Sequence, residues 1–176
     1  MEHKVDAAHY SVSEVLRDGS SIDIRALKPD DHDELLSAVE RMSDESIQRR
    51  FFAPKRYFTE REIEFYLNVD FVNHIALVAV LNVEGRARII GGARSIVIQP
   101  GVAEVAFSID DAHQGRGVGK LLMKHLVGLA RSSGLRELVA DVLPGNMPML
   151  SVFEKCGLKL ARKNEAGVVH VTLHLP

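Results

Sequence analysis

Gln114-Gly115-Arg116-Gly117-Val118-Gly119-Lys120 is the stretch of this chain whose residue types and spacing point most directly to chemistry. Three alternating glycines let a backbone wrap tightly and turn several N–H groups the same way, which makes a concavity for an anion. An apolar helical pattern begins at once after it, and a helix N-terminus adds partial positive charge. Arg116 and Lys120 supply full charges at the rim. The turn therefore suits a pyrophosphate. Its plainer reading is a tight connection that lets a helix pack on a strand. A dinucleotide fingerprint needs G-x-G-x-x-G, and a Walker loop needs Lys-Ser/Thr; neither fits this spacing. Other reactive side chains carry less. Cys156, the single cysteine, precedes Gly157 at a helix end and reads as packing, with no sequence signal for an activating base. The eight histidines form no metal set: His170 and His174, if on a strand, stand roughly 13 Å apart.

The elements that must position the turn follow from periodicity. Val102 to Ile109 alternates as a strand, and Gly117 to Arg131 carries Val118, Leu121, Leu122, Leu126, Leu129 and Ala130 on one helical face until Ser133-Gly134 stops it. Upstream, Ile75 to Val83 and Arg88 to Gln99 are β-rich runs joined at Glu84-Gly85-Arg86 and followed by Pro100-Gly101, which predicts an antiparallel meander. Ile22, Ile24 and Ala26 predict a first strand. Between it and the meander lie two helices and room for a third: one opened by Pro29-Asp30-Asp31, one by Ser43, and one by Thr59 with Glu62 at capping-box spacing. Downstream come a strand from Leu138 to Leu143, a short helix from Met147 to Lys155 capped by Gly157, and a hairpin from Leu158 to Lys163 and Val168 to Leu173. Residues 1–20 show weak periodicity and are read as an N-terminal arm, with residues 21–176 as one domain.

Bulk properties agree with a single enzyme-sized domain. A chain of 176 residues buries roughly 70% of its unfolded surface and needs no disulfide or metal for stability. Hydrophobic residues make up 46% and charged residues 26%, and the formal net charge of −2 gives no global field for nucleic acid. No apolar run reaches a membrane span and the first residues lack a signal-peptide core, so a cytoplasmic location is expected, with no membrane or nucleic-acid partner.

On these residues the chain resembles the GNAT superfamily of N-acetyltransferases. Gln114-Gly115-Arg116-Gly117-Val118-Gly119 matches its Gln/Arg-x-x-Gly-x-Gly/Ala signature after a β-strand. Asn146 and Phe153-Glu154-Lys155-Cys156-Gly157-Leu158 match a second signature about 30 residues later. AEVAFSIDDAHQGRGVG, RRFFAPK and ALVAV resemble the catalytic domain of bacterial Pat-type protein lysine acetyltransferases, over Ile22 to about Leu160. That group often carries a further regulatory domain, for which this length leaves no room. The resemblance implies a single α/β GNAT domain: a mixed, mostly antiparallel sheet flanked by helices, with one splayed parallel pair that takes acetyl-CoA as co-substrate. It implies that the Phe107 N–H polarises the acetyl carbonyl, and that Ser108 and Ile109 bond the pantetheine through their backbone. Gln114, Gly115, Arg116, Gly117, Val118, Gly119 and Lys120 would hold the pyrophosphate, with Asn146 and Lys155 as further cofactor contacts. No metal is implied.

The transfer needs a neutral amine. A lysine with pKa ~10.4 is neutral about once in a few thousand molecules at pH 7, so a base at the cleft helps. Glu104, out of phase with Val105, Phe107 and Ile109, occupies the position where the family keeps its base; Asp141 on the neighbouring strand is the reserve. Asp110 and Asp111 read as supports of the turn. Where many relatives have a tyrosine to protonate the departing thiolate, this chain has Phe153, which has no proton to give. The expected reaction is acetyl transfer to a protein lysine, an acyl-CoA synthetase being the acceptor class the Pat resemblance suggests. A small-amine acetyltransferase and a non-catalytic acyl-CoA sensor are the alternatives. Arg49, Arg50 and Arg56 among aromatics in RRFFAPKRYF suggest a surface for an acidic protein, or else a solvated helix face over core aromatics.

Overall fold

In a computed structural model, which describes residues 5–176, eight strands form one sheet in the order β1-β2-β3-β4-β5-β6-β8-β7. The strands are β1 (Ser11–Val15), β2 (Ser21–Ala26), β3 (His74–Val83), β4 (Arg86–Gln99), β5 (Val102–Ile109), β6 (Glu137–Val142), β7 (Lys159–Glu165) and β8 (Val168–His174). The helices are α1 (His32–Glu40), α2 (Asp44–Phe51), α3 (Glu60–Leu67), α4 (Val118–Ser132) and α5 (Met147–Glu154). All neighbouring strands are antiparallel except β5 and β6. This is the mixed sheet with one parallel pair that the sequence implied. Among the described residues no helix is long and apolar enough to cross a membrane.

The segment expected to be an arm is corrected in part. Ser11–Val15 pairs with β2 as an edge strand, and Leu16 is buried in the core. Its weak periodicity follows from its place: an edge strand with one covered face needs few apolar residues. The first four residues of the expected arm lie outside the described ones.

Two apolar layers hold the sheet. On one face, α4 lays Val118, Leu122, Met123, Leu126, Leu129 and Ala130 against Ile90, Ala93, Val105 and Phe107, joined by Leu150 and Phe153 of α5. A side chain so fully buried contributes about 1.5–3 kcal/mol. On the other face, Leu35, Ala38, Ile63 and Leu67 of α1 and α3 cover Ala76, Val78, Val80 and Ile89. The predicted helix starts hold: Ser43 Oγ accepts the Ser46 N–H at 3.1 Å, and Thr59 and Glu62 cap reciprocally.

Candidate active site

The β5–β6 ladder has three pairs, Val102↔Glu137, Ala103↔Leu138 and Glu104↔Val139, and then stops, although both strands continue. Beyond Glu104 they part and leave a cleft. The backbone of β5 is oriented to serve it. The Asp110 N–H bonds the Ile90 carbonyl at 2.8 Å, which makes Gly91↔Ile109 a pair whose own N–H and C=O groups face away from each other. By alternation, Phe107 and Ile109 turn their backbone groups toward β6 and into the cleft. The Ile109 carbonyl accepts from Gln114 Nε2 at 3.3 Å on that outward side. Ser108, by the same alternation, commits its backbone to Gly92, so it is not free for the backbone contact expected of it; Ser108 still lines the cleft.

Close approach of β4 to the end of β5 depends on Gly91. A Cβ there would meet Ile109 Cδ1 at 3.0 Å and the Ser108 carbonyl at 3.2 Å. The strand then runs through a short turn, Asp111–His113, into the glycine stretch. Gly115 and Gly117 have φ of +77° and +90°, in the region that side-chain-bearing residues rarely adopt. Gly117 is the N-cap of α4 and gives it no side-chain cap. The first-turn amides of α4 therefore keep their donors for an anion. Gly115, Gly117, Val118, Gly119, Lys120, Asn146 and Lys155 all line this half of the cleft, which has a volume of about 340 Å³. Asn146 also caps α5, its Oδ1 accepting the Met149 N–H at 3.3 Å.

Arg116 departs from expectation. Its guanidinium turns to Asp18 and Ser20 in the β1–β2 turn, away from the glycine concavity. The Ser20 N–H and hydroxyl, with Arg116, hold the Asp18 carboxyl down to about 2. Arg17 of the same turn lines the cleft instead. Nothing in the local sequence marks Arg17, because only pairing of β1 with β2 carries it there.

The second half of the cleft, about 320 Å³, is walled by Glu104, Val105, Ala106 and Phe107 of β5, Ala140, Asp141 and Val142 of β6, and Phe153. Arg49, Arg50, Phe107, Asn146 and Met149 line both halves, so the two are continuous. Glu104 is exposed to this half, as a base working on an incoming amine must be. Asp141 shares the wall and is paired with His170 of β8. Phe153 is 1% exposed and stacks edge-on with Phe107 at 5.8 Å, which seals the floor with hydrocarbon. Cys156 is half-buried, its Sγ donating to the Phe153 carbonyl at 3.0 Å, which is the packing role read for it.

α2 roofs both halves, and Asp111 fixes it there. That carboxylate accepts from the Ser43 N–H (3.0 Å), the Ser43 hydroxyl (2.7 Å) and the Ser46 hydroxyl (3.2 Å). Burial raises its pKa, and these hydrogen bonds outweigh burial and leave it lowered. Asp110 pairs with His113 at 3.3 Å and faces Arg88 at 3.7 Å, so both acids support the turn. His113 is thereby drawn off the surface, with its side chain 12% exposed.

The cationic stretch under α2 is mostly self-paired. Arg49 binds Glu45 (2.8 Å), Lys55 binds Glu62 (2.7 Å) and Arg56 binds Asp44 (2.7 Å). Arg49 and Arg56, expected to dock a partner, are thus already paired with exposed acids of the same segment. Phe51, Phe58, Tyr66 and Phe65 stack edge-on in series, while Tyr57 is 92% exposed.

No group of three or more His, Cys, Asp or Glu placed to hold a metal occurs among the described residues. A strand opened beside a helix-terminal anion site, with a carboxylate at its mouth, defines an N-acyltransferase that takes its acyl group from coenzyme A. The acetyltransferase (GNAT) family model matches residues 39–158, and the chain belongs to that family. It is 30% identical over 165 residues to the acetyltransferase Pat of Mycolicibacterium smegmatis, covering 92% of this chain and 48% of that one. The chain thus spans about half the length of that relative. It is 29% identical over 137 residues to the acetyltransferase PA5475 of Pseudomonas aeruginosa, covering 77% of this chain and 74% of that one. Among solved structures, the GNAT domain of S. lividans PAT superposes with a TM-score of 0.84 at 37% identity, covering 94% of this chain and 97% of the other.

Proposed function

We propose that this chain acetylates the ε-amine of lysine in a protein acceptor by direct attack on acetyl-CoA, with Glu104 as general base. The observation that carries the reading is the opening of β5 from β6 immediately after Glu104, which puts one carboxylate and the outward Phe107 N–H on the same wall. Acetyl-CoA lies with its pyrophosphate on the first-turn amides of α4 and its pantetheine along Ile109. The acetyl carbonyl accepts from the Phe107 N–H. The amine enters from the Glu104 side. Its nitrogen bonds the carbonyl carbon, Glu104 takes the proton directly or through water, and the carbon–sulfur bond breaks to release the CoA thiolate. Phe153 leaves that thiolate to be protonated by water or by the proton the amine has lost. The protein acceptor is supported by the likeness to Pat, by the breadth of the two-part cleft and by the exposed Phe52 that lines it. An acyl-CoA synthetase remains the acceptor class suggested by that likeness, and a cytoplasmic setting goes with it.

Incubation of a cell lysate with this protein and isotopically labelled acetyl-CoA, followed by mass spectrometry, is expected to find labelled lysines in a small set of folded proteins. Turnover of spermidine equal to or better than that of any protein lysine would replace this reading with a small-amine one. Cofactor binding without thiol release from any amine would leave an acyl-CoA sensor.

A further inference from the structure

Arg50 differs from the other cations around it. Arg49, Lys55 and Arg56 each have a carboxylate within 2.8 Å, but among the described residues Arg50 has neither an ion-pair nor a hydrogen-bond partner. Its guanidinium lies 4.8 Å from the centre of the Phe51 ring and lines the cleft where Glu104, Phe107 and Asn146 meet. Burial lowers its pKa, although the side chain keeps partial exposure to the cleft.

Behind it stands Arg94. In the β4–β5 ladder Arg94 is opposite Ala106, which puts its side chain on the Glu104 face of the sheet. Positions diagonal across two strands are about 7–8 Å apart, so Glu104 and Arg94 are near neighbours. The Arg94 Nη1 donates to the Tyr66 carbonyl at 2.8 Å and stands 3.1 Å from His74 Nε2; it has no carboxylate. Burial, and then the charge of Arg50, bring Arg94 down to about 10. The same burial, and then Arg94, hold His74 near 4, so it is neutral at pH 7. Arg50 and Arg94 thus stand on the Glu104 side, while the other carboxylate of this half, Asp141, is engaged by His170. The phosphates of the cofactor have their own amides in the other half of the cleft, which Arg50 also borders and Glu104 does not. A cation withdrawn from water without a counter-ion is unfavourable, and an arriving anion relieves it.

We propose that Arg50, with Arg94 behind it, forms a carboxylate subsite beside Glu104, and that the acceptor lysine is one accompanied by an aspartate or glutamate that seats there. The inference rests on the lysine reading above and adds which lysines are chosen. A guanidinium without a carboxylate partner repels a bare polyamine and favours the neutral, nucleophilic form of the incoming amine. A carboxylate carried by the same acceptor offsets the repulsion and fixes the register of the amine through a planar, two-bond pairing with the guanidinium.

The test compares lysate labelling by the wild-type protein, Arg50→Gln and Arg50→Lys. Sites labelled by the wild type are expected to carry Asp or Glu adjacent to the lysine, in sequence or in space, more often than unlabelled surface lysines. Arg50→Gln should lower labelling of those sites about tenfold at saturating acetyl-CoA, the scale of one charge-assisted pair. Arg50→Lys should fall between. Calorimetry with acetyl-CoA and a thermal melt check the fold; if Arg50→Gln does not fold, the wild-type enrichment and Arg50→Lys decide. Labelled lysines without acidic neighbours overturn the subsite and leave the lysine reading standing. So does an acidic preference that survives in folded Arg50→Gln. Thiol release with spermidine and no labelled protein overturns the lysine reading, and this acceptor with it.

Discussion

Glu104 and Phe153 divide the proposed reaction between proton removal and thiolate departure, and substitution separates the two. Glu104→Gln keeps the shape of the wall and removes its basicity. Its rate should fall about 10²-fold or more, while acetyl-CoA affinity by calorimetry stays near normal. Most activity retained from pH 6 to 9 would mean that another group, with Asp141 next in line on the same wall, is the base. Phe153 is buried hydrocarbon against Phe107, so Phe153→Leu should reduce stability by about 0.5–1.5 kcal/mol in a urea titration. Phe153→Tyr should leave the rate nearly unchanged; a large gain would show that proton donation to sulfur limits turnover. His74 gives a pH signature. Held near 4 in the fold by burial and then Arg94, it binds a proton near 6.5 once unfolded. The unfolded chain therefore carries more protons between those values, and stability falls as pH drops through that window. The urea midpoint should decline from pH 7 to pH 4.5, and His74→Gln, which keeps an acceptor for Arg94, should flatten part of that slope.

The elements that hold the cofactor do so by backbone, so their glycines are the sensitive positions. Gly117 lines the cleft and has open space where a Cβ would stand, so its φ of +90° is what a side chain would strain. Gly117→Glu would combine an unfavourable φ with a carboxylate aimed at the phosphates. It is expected to weaken acetyl-CoA binding at least tenfold, about 1.4 kcal/mol, as read by calorimetry on folded protein. Gly91 acts one strand further back. Gly91→Ala places a Cβ against the Ile109 side chain and the Ser108 carbonyl, and its neighbours, the β5 backbone among them, must give by a few tenths of an ångström. The expected loss is about 1–3 kcal/mol of stability together with weaker acetyl-CoA binding, because the same shift displaces the Phe107 and Ile109 amides. Cofactor affinity unchanged in that variant would detach the β4–β5 approach from the cleft.

The whole molecule sets the acceptor. α2 is anchored by Asp111 and closes over the parted strands, with the exposed Phe52 at its end lining the cleft. That arrangement favours a folded partner that lies across the cleft mouth. A lysine in a labelled acceptor protein should be acetylated with a higher kcat/KM than the same lysine in a free short peptide. Equal efficiency for the two would reduce the outer surface to a bystander. Charge reversal at Arg56 is expected to be mild. Its exposed pair with Asp44 is worth about 0–1 kcal/mol, and the change should appear in stability before it appears in KM.

The sequence by itself determined the glycine turn and its helix, the antiparallel meander, the capped helix starts at Ser43 and Thr59, and the place of Glu104 in β5. Each is written in local periods and turn chemistry that few neighbours can override. The type of Phe153, and with it the missing proton donor, needed only the register of the second motif. Tertiary structure decided the rest, because it depends on which surfaces meet. β1 is a strand only because β2 offers it an edge. Arg116 is drawn from the phosphate turn by an aspartate 98 residues away. The parting of β5 from β6 after three pairs is a property of two strands together. Arg50 is the clearest case: beside Arg49 in sequence it looks like half of a solvated pair. Arg49 finds Glu45 one turn back on its own helix, but only the packing of α2 over β5 leaves Arg50, unpartnered among the described residues, in the cleft beside Glu104.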